Sequence, residues 1–496
     1  MRRIQHIHFV GAGGIGMCGI AELLASQGYR VTGSDLKESA NTERLRSLGI
    51  EVAIGHDAGN VGDADVVVYS SAVRADNPEL RRAEAAKIPV IGRAEMLAEL
   101  MRLKDGIAVA GSHGKTTTTS LVAHVLDAAG LDPTAVVGGR VLRAGGDPST
   151  TRRGAGSLLV AEADESDGSF LRLAPVIAVV TNIDPEHLDH YGSYEAIQDA
   201  FASFCNRVPF WGAAVLYVDH PGVQAILPRL NRRTIRYGTS AQADWIASEI
   251  GRDDHGLVFS VRHAGRDLGR VRLRLEGQHN ALNALAALAV AHEVEVPFRV
   301  AADALESFLG IERRFEHKGT AAGVRVIDDY GHHPAEIEAT LAAAREVHGG
   351  RIVVAFQPHR YTRTRDLWDD FTRCFHRADV LVLTEIYAAS EDKLPGVEAS
   401  LLADAIRDHG HRTVFFERDL DQALGRLLRE VREGDLVVTL GAGSIASLGA
   451  RLVAALAQVS RSPQDREAVA QRGEAERSMG PREEEQASED PQERTR

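Results

Sequence analysis

The segment GIAVAGSHGKTTTTSLVAHVLDAAG, residues 106–130, predicts a buried strand, a glycine-containing loop and a helix, in that order. The loop ends in GKT, as phosphate-binding loops do. The usual spacing places a further glycine five residues before Gly114, but Val109 stands there, and the nearest earlier glycine is Gly111. The segment therefore contains a shortened phosphate loop between a strand and a helix.

The chemistry of this loop favours a bound nucleotide. Backbone N–H groups at a helix N-terminus attract phosphate oxygens, Lys115 adds a positive charge for the outer phosphates, and the Thr116 hydroxyl can bind Mg²⁺. A plain strand–helix turn would not explain a lysine followed by four threonines, because threonine is a poor helix former. We predict a site for nucleotide phosphates formed by Gly111, Ser112, His113, Gly114, Lys115, Thr116 and Thr117.

An acidic run supplies ligands for a metal ion. VAEADESDGSF, residues 160–170, brings four carboxylates to the end of a predicted strand, where they repel one another unless a cation is near. TNIDPEHLDHY, residues 181–191, ends a second strand and adds an imidazole. Oxygen ligands beside substrate phosphates suit Mg²⁺ better than zinc. A solvated acidic turn is the alternative, but beside the lysine loop we predict a magnesium site, with Thr116, carboxylates of the acidic run and His187 as candidate ligands.

A second glycine loop lies near the N-terminus. GAGGIG, residues 11–16, has the G-x-G-x-x-G spacing between a predicted strand and helix, and Asp35 follows the next strand. This pattern predicts a pyrophosphate at a helix N-terminus, which either NAD or a UDP-sugar would provide. The predicted contacts are Gly11, Gly13, Gly14, Gly16 and Asp35.

The last third of the chain concentrates basic and aromatic residues in three loops. These are RRFEHKG (residues 313–319), DDYGHHPAEI (328–337) and FQPHRYTRT (356–364). Two of them follow predicted strands, so they should meet at one edge of a sheet. Paired guanidinium donors bind carboxylates and phosphates, so the cluster predicts a carboxylate substrate or a transferring phosphate.

The alternation of strands and helices along the chain predicts an α/β fold with parallel sheets. We expect three domains: a Rossmann-like domain at residues 1–105, a central P-loop-type ATPase domain at 106–311, and a Rossmann-like domain at 312–458. Within the central domain the pattern changes at about residues 213–276, where alternating apolar and polar residues predict a small antiparallel addition. Residues 459–496 are charged and predicted to be disordered.

The composition excludes several classes of protein. The net charge of −13 over 496 residues argues against a basic surface that binds nucleic acid. Three scattered cysteines argue against a disulfide framework and fit the reducing cytoplasm. We find no apolar run long enough to cross a bilayer and expect no membrane insertion.

Seven motifs, in this order and spacing, resemble those of the Mur ligase family over about residues 4–456. They are GSHGKTTTTS, EADESDGSF, TNIDPEHLDHY, EGQHNALNALAA, RRFEHKG, DDYGHHPAEI and FQPHRYTRT. The short lysine loop is the form that this family uses. EADESDGSF, DDYGHHP and FQPHRYTRT are similar to the branch that adds alanine.

The resemblance implies an ATP- and Mg²⁺-dependent ligase that joins L-alanine to UDP-N-acetylmuramate through an acyl phosphate, in peptidoglycan synthesis. It implies that the first domain holds the UDP-sugar, with Ser71 and Arg93 added to its contacts, and that Asn280 and Asn283 hold adenine. Glu162 and His187 match the family's metal-ligand positions. Arg314 and Asp329 match nucleotide contacts. Tyr330, His359, Arg360 and Arg363 match residues that hold alanine and orient carboxylates. The implied catalytic set is Lys115, His187, Arg314, His359, Arg360 and Arg363. We expect a monomer or weak homodimer.

Two alternatives stay open at this point. A sister ligase would attach a recycled peptide instead of alanine, although the motifs ESDGSF and FQPHRYTRT disfavour this activity. An NAD-dependent oxidoreductase would explain the first glycine loop alone. One feature departs from several members of the family: no lysine lies between Lys115 and Lys318, so the central domain cannot contain the carbamylated lysine with which those ligases bridge their metal ions.

Overall fold

The computed structural model describes residues 4–70, 72–144, 146–389 and 391–459. The chain divides into two compact units, with the boundary between Glu316 and His317. Three sheets organise the described residues, with five, ten and six strands. The predicted tail lies outside the described residues, except that Val459 ends the last helix. No helix in the described ranges is both long and apolar enough to span a membrane.

The first sheet is fully parallel, with the strand order β3-β2-β1-β4-β5. Strand order reverses beside β1, and the crevice beyond the carboxyl ends of the strands at such a point is where ligands bind in open α/β sheets. The strands are β1 (His6–Val10), β2 (Arg30–Asp35), β3 (Glu51–Ile54), β4 (Val66–Tyr69) and β5 (Val90–Gly92). The helices are α1 (Ile15–Ser26), α2 (Ala40–Ser47), α3 (Pro78–Ala85) and α4 (Arg93–Met101), with a 3-10 turn at Ala58–Val61.

The second sheet has the order β15-β14-β13-β12-β11-β10-β6-β9-β7-β8. Its strands are β6 (Asp105–Ala110), β7 (Thr134–Arg143), β8 (Gly146–Arg152), β9 (Leu158–Glu162), β10 (Ile177–Val180), β11 (Ala213–Tyr217), β12 (Thr234–Gly238), β13 (Trp245–Asp253), β14 (Gly256–His263) and β15 (Arg266–Leu273). Its helices are α5 (Lys115–Ala128), α6 (Leu188–Tyr191), α7 (Tyr194–Asn206), α8 (Pro221–Ile226), α9 (Gln278–Glu293) and α10 (Phe298–Ser307), with 3-10 turns at Ser169–Arg172 and Leu227–Arg229.

The antiparallel addition is smaller than the sequence predicts. β11 and β12 continue the parallel sheet, and antiparallel pairing begins only between β13 and β14. The predicted start at about residue 213 is therefore wrong, because two buried parallel strands occupy its first half. A second antiparallel pair, β7 with β8, was not predicted. Its glycines and polar residues hide the alternation that marks a hairpin.

The third sheet lies in the second unit and has the order β16-β17-β21-β18-β19-β20. From β17 to β20 its neighbours pair in parallel. The strands are β16 (Glu316–Ala321), β17 (Val324–Asp329), β18 (Ile352–Phe356), β19 (Val380–Thr384), β20 (Val414–Glu417) and β21 (Leu436–Leu440). The helices are α11 (Pro334–Val347), α12 (Tyr361–Asp366), α13 (Trp368–Phe371), α14 (Ala399–Asp408), α15 (Leu420–Glu430) and α16 (Leu448–Val459), with a 3-10 turn at Ser444–Ser447. The predicted α/β class is confirmed.

Apolar side chains on both faces of the central strands explain why the sheets form. Ile107 and Val109 of β6 point into one hydrophobic cluster, and Ala108 and Ala110 point into another. The second of these clusters also contains Phe9 of β1, so a continuous core joins the first two sheets within the first unit. This buried framework fixes the strand ends from which the site loops emerge.

Candidate active site

The lysine loop connects β6 to α5, as the sequence predicts. Gly111 and Gly114 have φ values of 135° and 80°, in the left-handed region that favours glycine. A Cβ on Gly111 would lie 2.0 Å from Thr181 Oγ1. The loop is also tied to the end of β10, because the His113 backbone N–H donates to Asn182 Oδ1 at 2.7 Å. Gly114 caps α5 without a side chain, so backbone N–H groups of the first turn have no side-chain cap and suit a phosphate.

Lys115 is held in place by its own loop and by the acidic run. Its Nζ donates to Gly111 O at 2.6 Å, to Ser112 O at 3.1 Å and to Glu165 Oε1 at 2.8 Å. Burial disfavours the ammonium charge, but Glu165 and the neighbouring carboxylates outweigh it and raise the pKa of Lys115. Burial also disfavours the charge of Glu165 and raises its pKa to about 7, against the opposing effect of Lys115. The ammonium therefore keeps its charge where a phosphate would be bound.

The predicted metal ligands fall into two neighbouring groups. Thr116 Oγ1 donates to Glu162 Oε2 at 2.9 Å, so these two are brought together as expected. The Gly138 backbone N–H donates to the same carboxylate oxygen at 2.9 Å. His187 lies instead with Glu165 and Glu186, and one ligand atom from each of the three lies within 4.8 Å of the others. Glu165 is one of the four carboxylates of the predicted acidic run, whereas Glu186, next to His187, was not among the candidate ligands.

These residues fit a hard divalent cation. Glu165 is buried, and its Oε2 makes no hydrogen bond within the described residues. A buried carboxylate oxygen without a partner is costly unless a cation compensates it. The donor set consists of carboxylates, one hydroxyl and one imidazole, which is richer in oxygen than a zinc site.

His113 in the lysine loop is oriented by a carboxylate. Its Nε2 lies 3.2 Å from Asp184 Oδ2, and His220 Nε2 lies 3.3 Å from Asp184 Oδ1. Burial would raise the pKa of Asp184, but the two histidines outweigh it and hold that pKa well below its ordinary value. Asp184 therefore stays ionised and fixes the loop from the side of β10.

The two asparagines predicted to bind adenine lie at the start of α9, against α5. Asn283 Oδ1 accepts from Thr118 Oγ1 at 3.2 Å, and Asn283 Nδ2 donates to Asn280 Oδ1 at 2.9 Å. Asn280 Nδ2 donates to Glu276 O at 2.7 Å. A Cβ on Gly114 would come within 2.7 Å of Asn283 Oδ1. The asparagines thus adjoin the lysine loop, and their contact with adenine stays a prediction.

The first glycine loop joins β1 to α1 at the reversal of strand order. Asp35 Oδ2 accepts from the Gly13 backbone N–H at 2.8 Å, which brings these two predicted contacts together. Arg93 begins α4, lies against Gly16, and its Nη2 donates to Asp164 Oδ2 at 3.2 Å. Arg93 therefore connects the glycine loop to the acidic run. Ser71 lies outside the described residues.

Arg314 follows the last helix of the first unit, where its backbone N–H donates to Ile311 O at 3.3 Å. In the second unit, Asp329 ends β17, and its Oδ1 accepts from the Gly331 backbone N–H at 2.8 Å. Tyr330 follows directly and meets His332 edge to face. Each of these predicted residues lies at a strand end or in a connecting loop.

His359, Arg360 and Arg363 lie together after β18. Arg363 Nη1 is 3.3 Å from His359 Nδ1. Arg360 has a φ of 71°, which turns the chain into α12. The ring of His332, from the loop after β17, lies 5.8 Å from the ring of His359, so two of the three predicted loops meet at the carboxyl edge of the third sheet.

Sequence profiles of one family match most of the chain in three segments. They are described as Mur ligase family, catalytic domain, at residues 6–105; Mur ligase middle domain, at residues 109–291; and Mur ligase, glutamate ligase domain, at residues 313–443. The chain belongs to the Mur ligase family. Its three-domain α/β fold is thereby confirmed, and the three segments correspond to the three sheets.

Individual relatives are similar over nearly the whole length. A UDP-N-acetylmuramate–L-alanine ligase of Sorangium cellulosum is 58% identical over 89% of this chain and 94% of the relative. One of Myxococcus xanthus is 56% identical over 91% and 95%. The crystal structure of the UDP-N-acetylmuramate-alanine ligase MurC from Thermotoga maritima has a TM-score of 0.78 at 30% identity, covering 91% of this chain and 99% of that one.

Proposed function

We propose that the chain is an ATP-dependent ligase that joins L-alanine to UDP-N-acetylmuramate, the first amino-acid addition of peptidoglycan synthesis. One observation carries the proposal: Lys115 and Thr116 of the phosphate loop meet the acidic run through Glu165 and Glu162. The names and identities of the relatives support the choice of substrates.

The reaction must turn a carboxylate into an electrophile. ATP phosphorylates the lactyl carboxylate of UDP-N-acetylmuramate and leaves ADP. The amine of alanine then attacks the acyl phosphate, loses a proton and displaces phosphate to form the amide. Both the carboxylate and the triphosphate are anions, so their approach needs fixed positive charge.

Lys115 supplies part of that charge. Its ammonium is held by two loop carbonyls and by Glu165, so it does not have to be oriented when ATP binds. The N-terminus of α5, which no side chain caps, supplies backbone donors for the phosphates. Asn280 and Asn283, which lie beside the loop, are the proposed adenine contacts.

Thr116, Glu162, Glu165 and His187 would hold Mg²⁺. When bound, the ion would neutralise phosphate charge. The backbone N–H of Gly138 orients the carboxylate of Glu162 by a hydrogen bond.

The glycine loop after β1 is proposed to hold the UDP part, with Gly11, Gly13, Gly14, Gly16, Asp35, Ser71 and Arg93 as contacts. Arg93 already bridges from this loop to Asp164, which is the direction in which the sugar must extend to bring its carboxylate toward ATP. In the second unit, Tyr330, His359, Arg360 and Arg363 are the proposed contacts of alanine and the carboxylates, and Asp329 is a proposed nucleotide contact. Arg314, at the end of the first unit, is the other proposed nucleotide contact.

A coupled assay of ADP release tests the function. ADP should appear only when ATP, UDP-N-acetylmuramate and L-alanine are present together, and added NADH should keep its absorbance. ADP release that does not depend on alanine, or oxidation of NADH, would contradict the proposal.

The sister activity is tested in the same assay with a peptide in place of alanine. A murein peptide ligase of Psychrobacter arcticus shares the fold, with a TM-score of 0.69 at 25% identity. That likeness is lower than the likeness to the alanine ligase of Thermotoga maritima, so alanine should be the better substrate.

A further inference from the structure

The ring of His359 is held on several sides within the second unit. The ring of Tyr387 is nearly parallel to it, with 5.6 Å between centroids and an angle of 11°. His332 lies at 5.8 Å with a tilted ring, and Arg363 Nη1 lies 3.3 Å from His359 Nδ1. The imidazole therefore has one orientation before any substrate binds.

Tyr387 is itself fixed by the backbone. Its N–H donates to Pro358 O at 2.8 Å, and its carbonyl accepts from the Arg360 N–H at 2.9 Å. Its ring packs over Gly443, where a Cβ would lie 2.7 Å from Tyr387 Cγ. Only a residue without a side chain leaves room for the tyrosine ring at that position.

The segment GAGS, residues 441–444, after β21 resembles a phosphate loop in sequence but has another use here. The N–H of Ile445, at the following 3-10 turn, donates to Gln357 Oε1 at 3.1 Å. A side-chain amide therefore takes the donor that an anion would need, and the glycines make room for Gln357 and Tyr387.

The contact with Arg363 determines where His359 carries its proton. A guanidinium group can only donate hydrogen bonds, so His359 Nδ1 accepts and the single proton of the neutral ring lies on Nε2. Burial, helped by Arg363 and Arg360 and opposed by Glu391, lowers the pKa of His359 to about 4. Facing it, His332 has a pKa lowered by burial to about 3. Both rings are therefore neutral near pH 7.

We propose that His359 is a fixed, neutral hydrogen-bond donor, whose Nε2–H binds an oxygen of the amino-acid carboxylate, and that Tyr387 is the positioning residue that holds its ring. His359 does not take the proton of the attacking amine. Nε2 has no lone pair in this tautomer, and the lone pair of Nδ1 is occupied by Arg363. Nε2 makes no hydrogen bond to the part of the chain that the structure describes. The assignment to the amino acid depends on the function proposed above.

Nitrogen NMR tests the tautomer independently of activity. In enzyme labelled with ¹⁵N-histidine, the resonances missing from His359→Gln identify His359. Between about pH 6 and about pH 8 they should show a protonated Nε2 and an unprotonated Nδ1. A proton on Nδ1, or a doubly protonated ring in this range, would overturn the proposal even if the enzyme joins alanine.

Kinetics test the role of the donor. His359→Ala should raise the KM for alanine about 10- to 100-fold, because a hydrogen bond to a charged group is lost. His359→Gln retains an N–H donor and should recover much of that loss, with an unchanged pH profile of kcat. A fall in kcat with a lost ionisation, and no recovery with glutamine, would mean that His359 is a base.

The positioning role of Tyr387 has its own control. Tyr387→Ala should raise the KM for alanine and broaden the His359 resonances, whereas Tyr387→Phe retains the ring and should restore both. Equal behaviour of the two variants would refute the role. If the unaltered enzyme released no ADP with alanine, the proposed function would fail, and the NMR measurement would still decide the tautomer.

Discussion

At the scale of the residue, Lys115 provides the sharpest test. Lys115→Ala removes the charge that faces Glu165 and should lower kcat on the order of 10²- to 10³-fold. Binding of UDP-N-acetylmuramate should remain, because the glycine loop lies on a different sheet. ADP release and calorimetric titration measure the two effects. Lys87→Ala, at an exposed lysine, is the matched control, and loss of UDP-sugar binding in Lys115→Ala would contradict the separation of the two sites.

The sequence predicts those site residues whose position follows from their immediate neighbours along the chain. Lys115 and Thr116 follow from a loop between a strand and a helix, whereas Glu162 is singled out among four neighbouring carboxylates only by the resemblance to the family. The partner of Lys115 could not be chosen from four neighbouring carboxylates without coordinates. Tyr387 was missed because its contact with His359 depends on the pairing of β18 with β19. The sequence around Tyr387 contains no pattern that predicts this pairing.

At the scale of the element, the hairpin of β7 and β8 contributes to the site although its strands were not predicted. A Cβ on Gly138 would lie 2.5 Å from Glu162 Oε2. Gly138→Ala should displace this carboxylate from Thr116 and lower kcat about tenfold or more. Because the displaced atoms are the end of a side chain, the melting temperature should change little. Gly251→Ala in β13, where a Cβ meets nothing within 4 Å, is the control; a large fall in melting temperature for Gly138→Ala alone would indicate a folding defect instead.

A second element, α3, carries a buried carboxylate. Glu79 accepts from His8 Nε2 at 2.9 Å, Ser34 Oγ at 2.7 Å and Asn60 Nδ2 at 2.9 Å. Burial would raise its pKa, but these hydrogen bonds outweigh it and lower the pKa from 4.5 to about 2. The ionised form therefore stabilises the fold above pH 4.5, and roughly 3 kcal/mol should be lost as the pH falls to about 2. Calorimetry should show a shallower loss for Glu79→Gln, while Glu84→Gln, exposed on the same helix, should follow the unaltered protein.

At the scale of the whole molecule, the rhythm of strands and helices was enough to predict three α/β domains, because each sheet repeats the same local alternation. Sequence did not show how the first two sheets are joined. They share one hydrophobic cluster, and a polar contact connects α1 and α2 to β8. That contact depends on residues more than a hundred positions apart, so local pattern cannot reveal it.

Glu22 is the centre of this contact. It accepts from Arg44 Nε at 2.6 Å and from Thr151 Oγ1 at 3.1 Å, and its side chain is only 8% exposed. Glu22→Ala leaves the guanidinium partly buried without its carboxylate and should destabilise the first unit by about 3 kcal/mol. Amide hydrogen exchange should rise at residues 149–152, where β8 rests on α1. Glu38→Ala breaks the exposed pair with Arg46 and should change stability by less than about 1 kcal/mol. Equal effects of the two substitutions, or unchanged exchange in β8, would mean that the apolar core alone joins the two sheets.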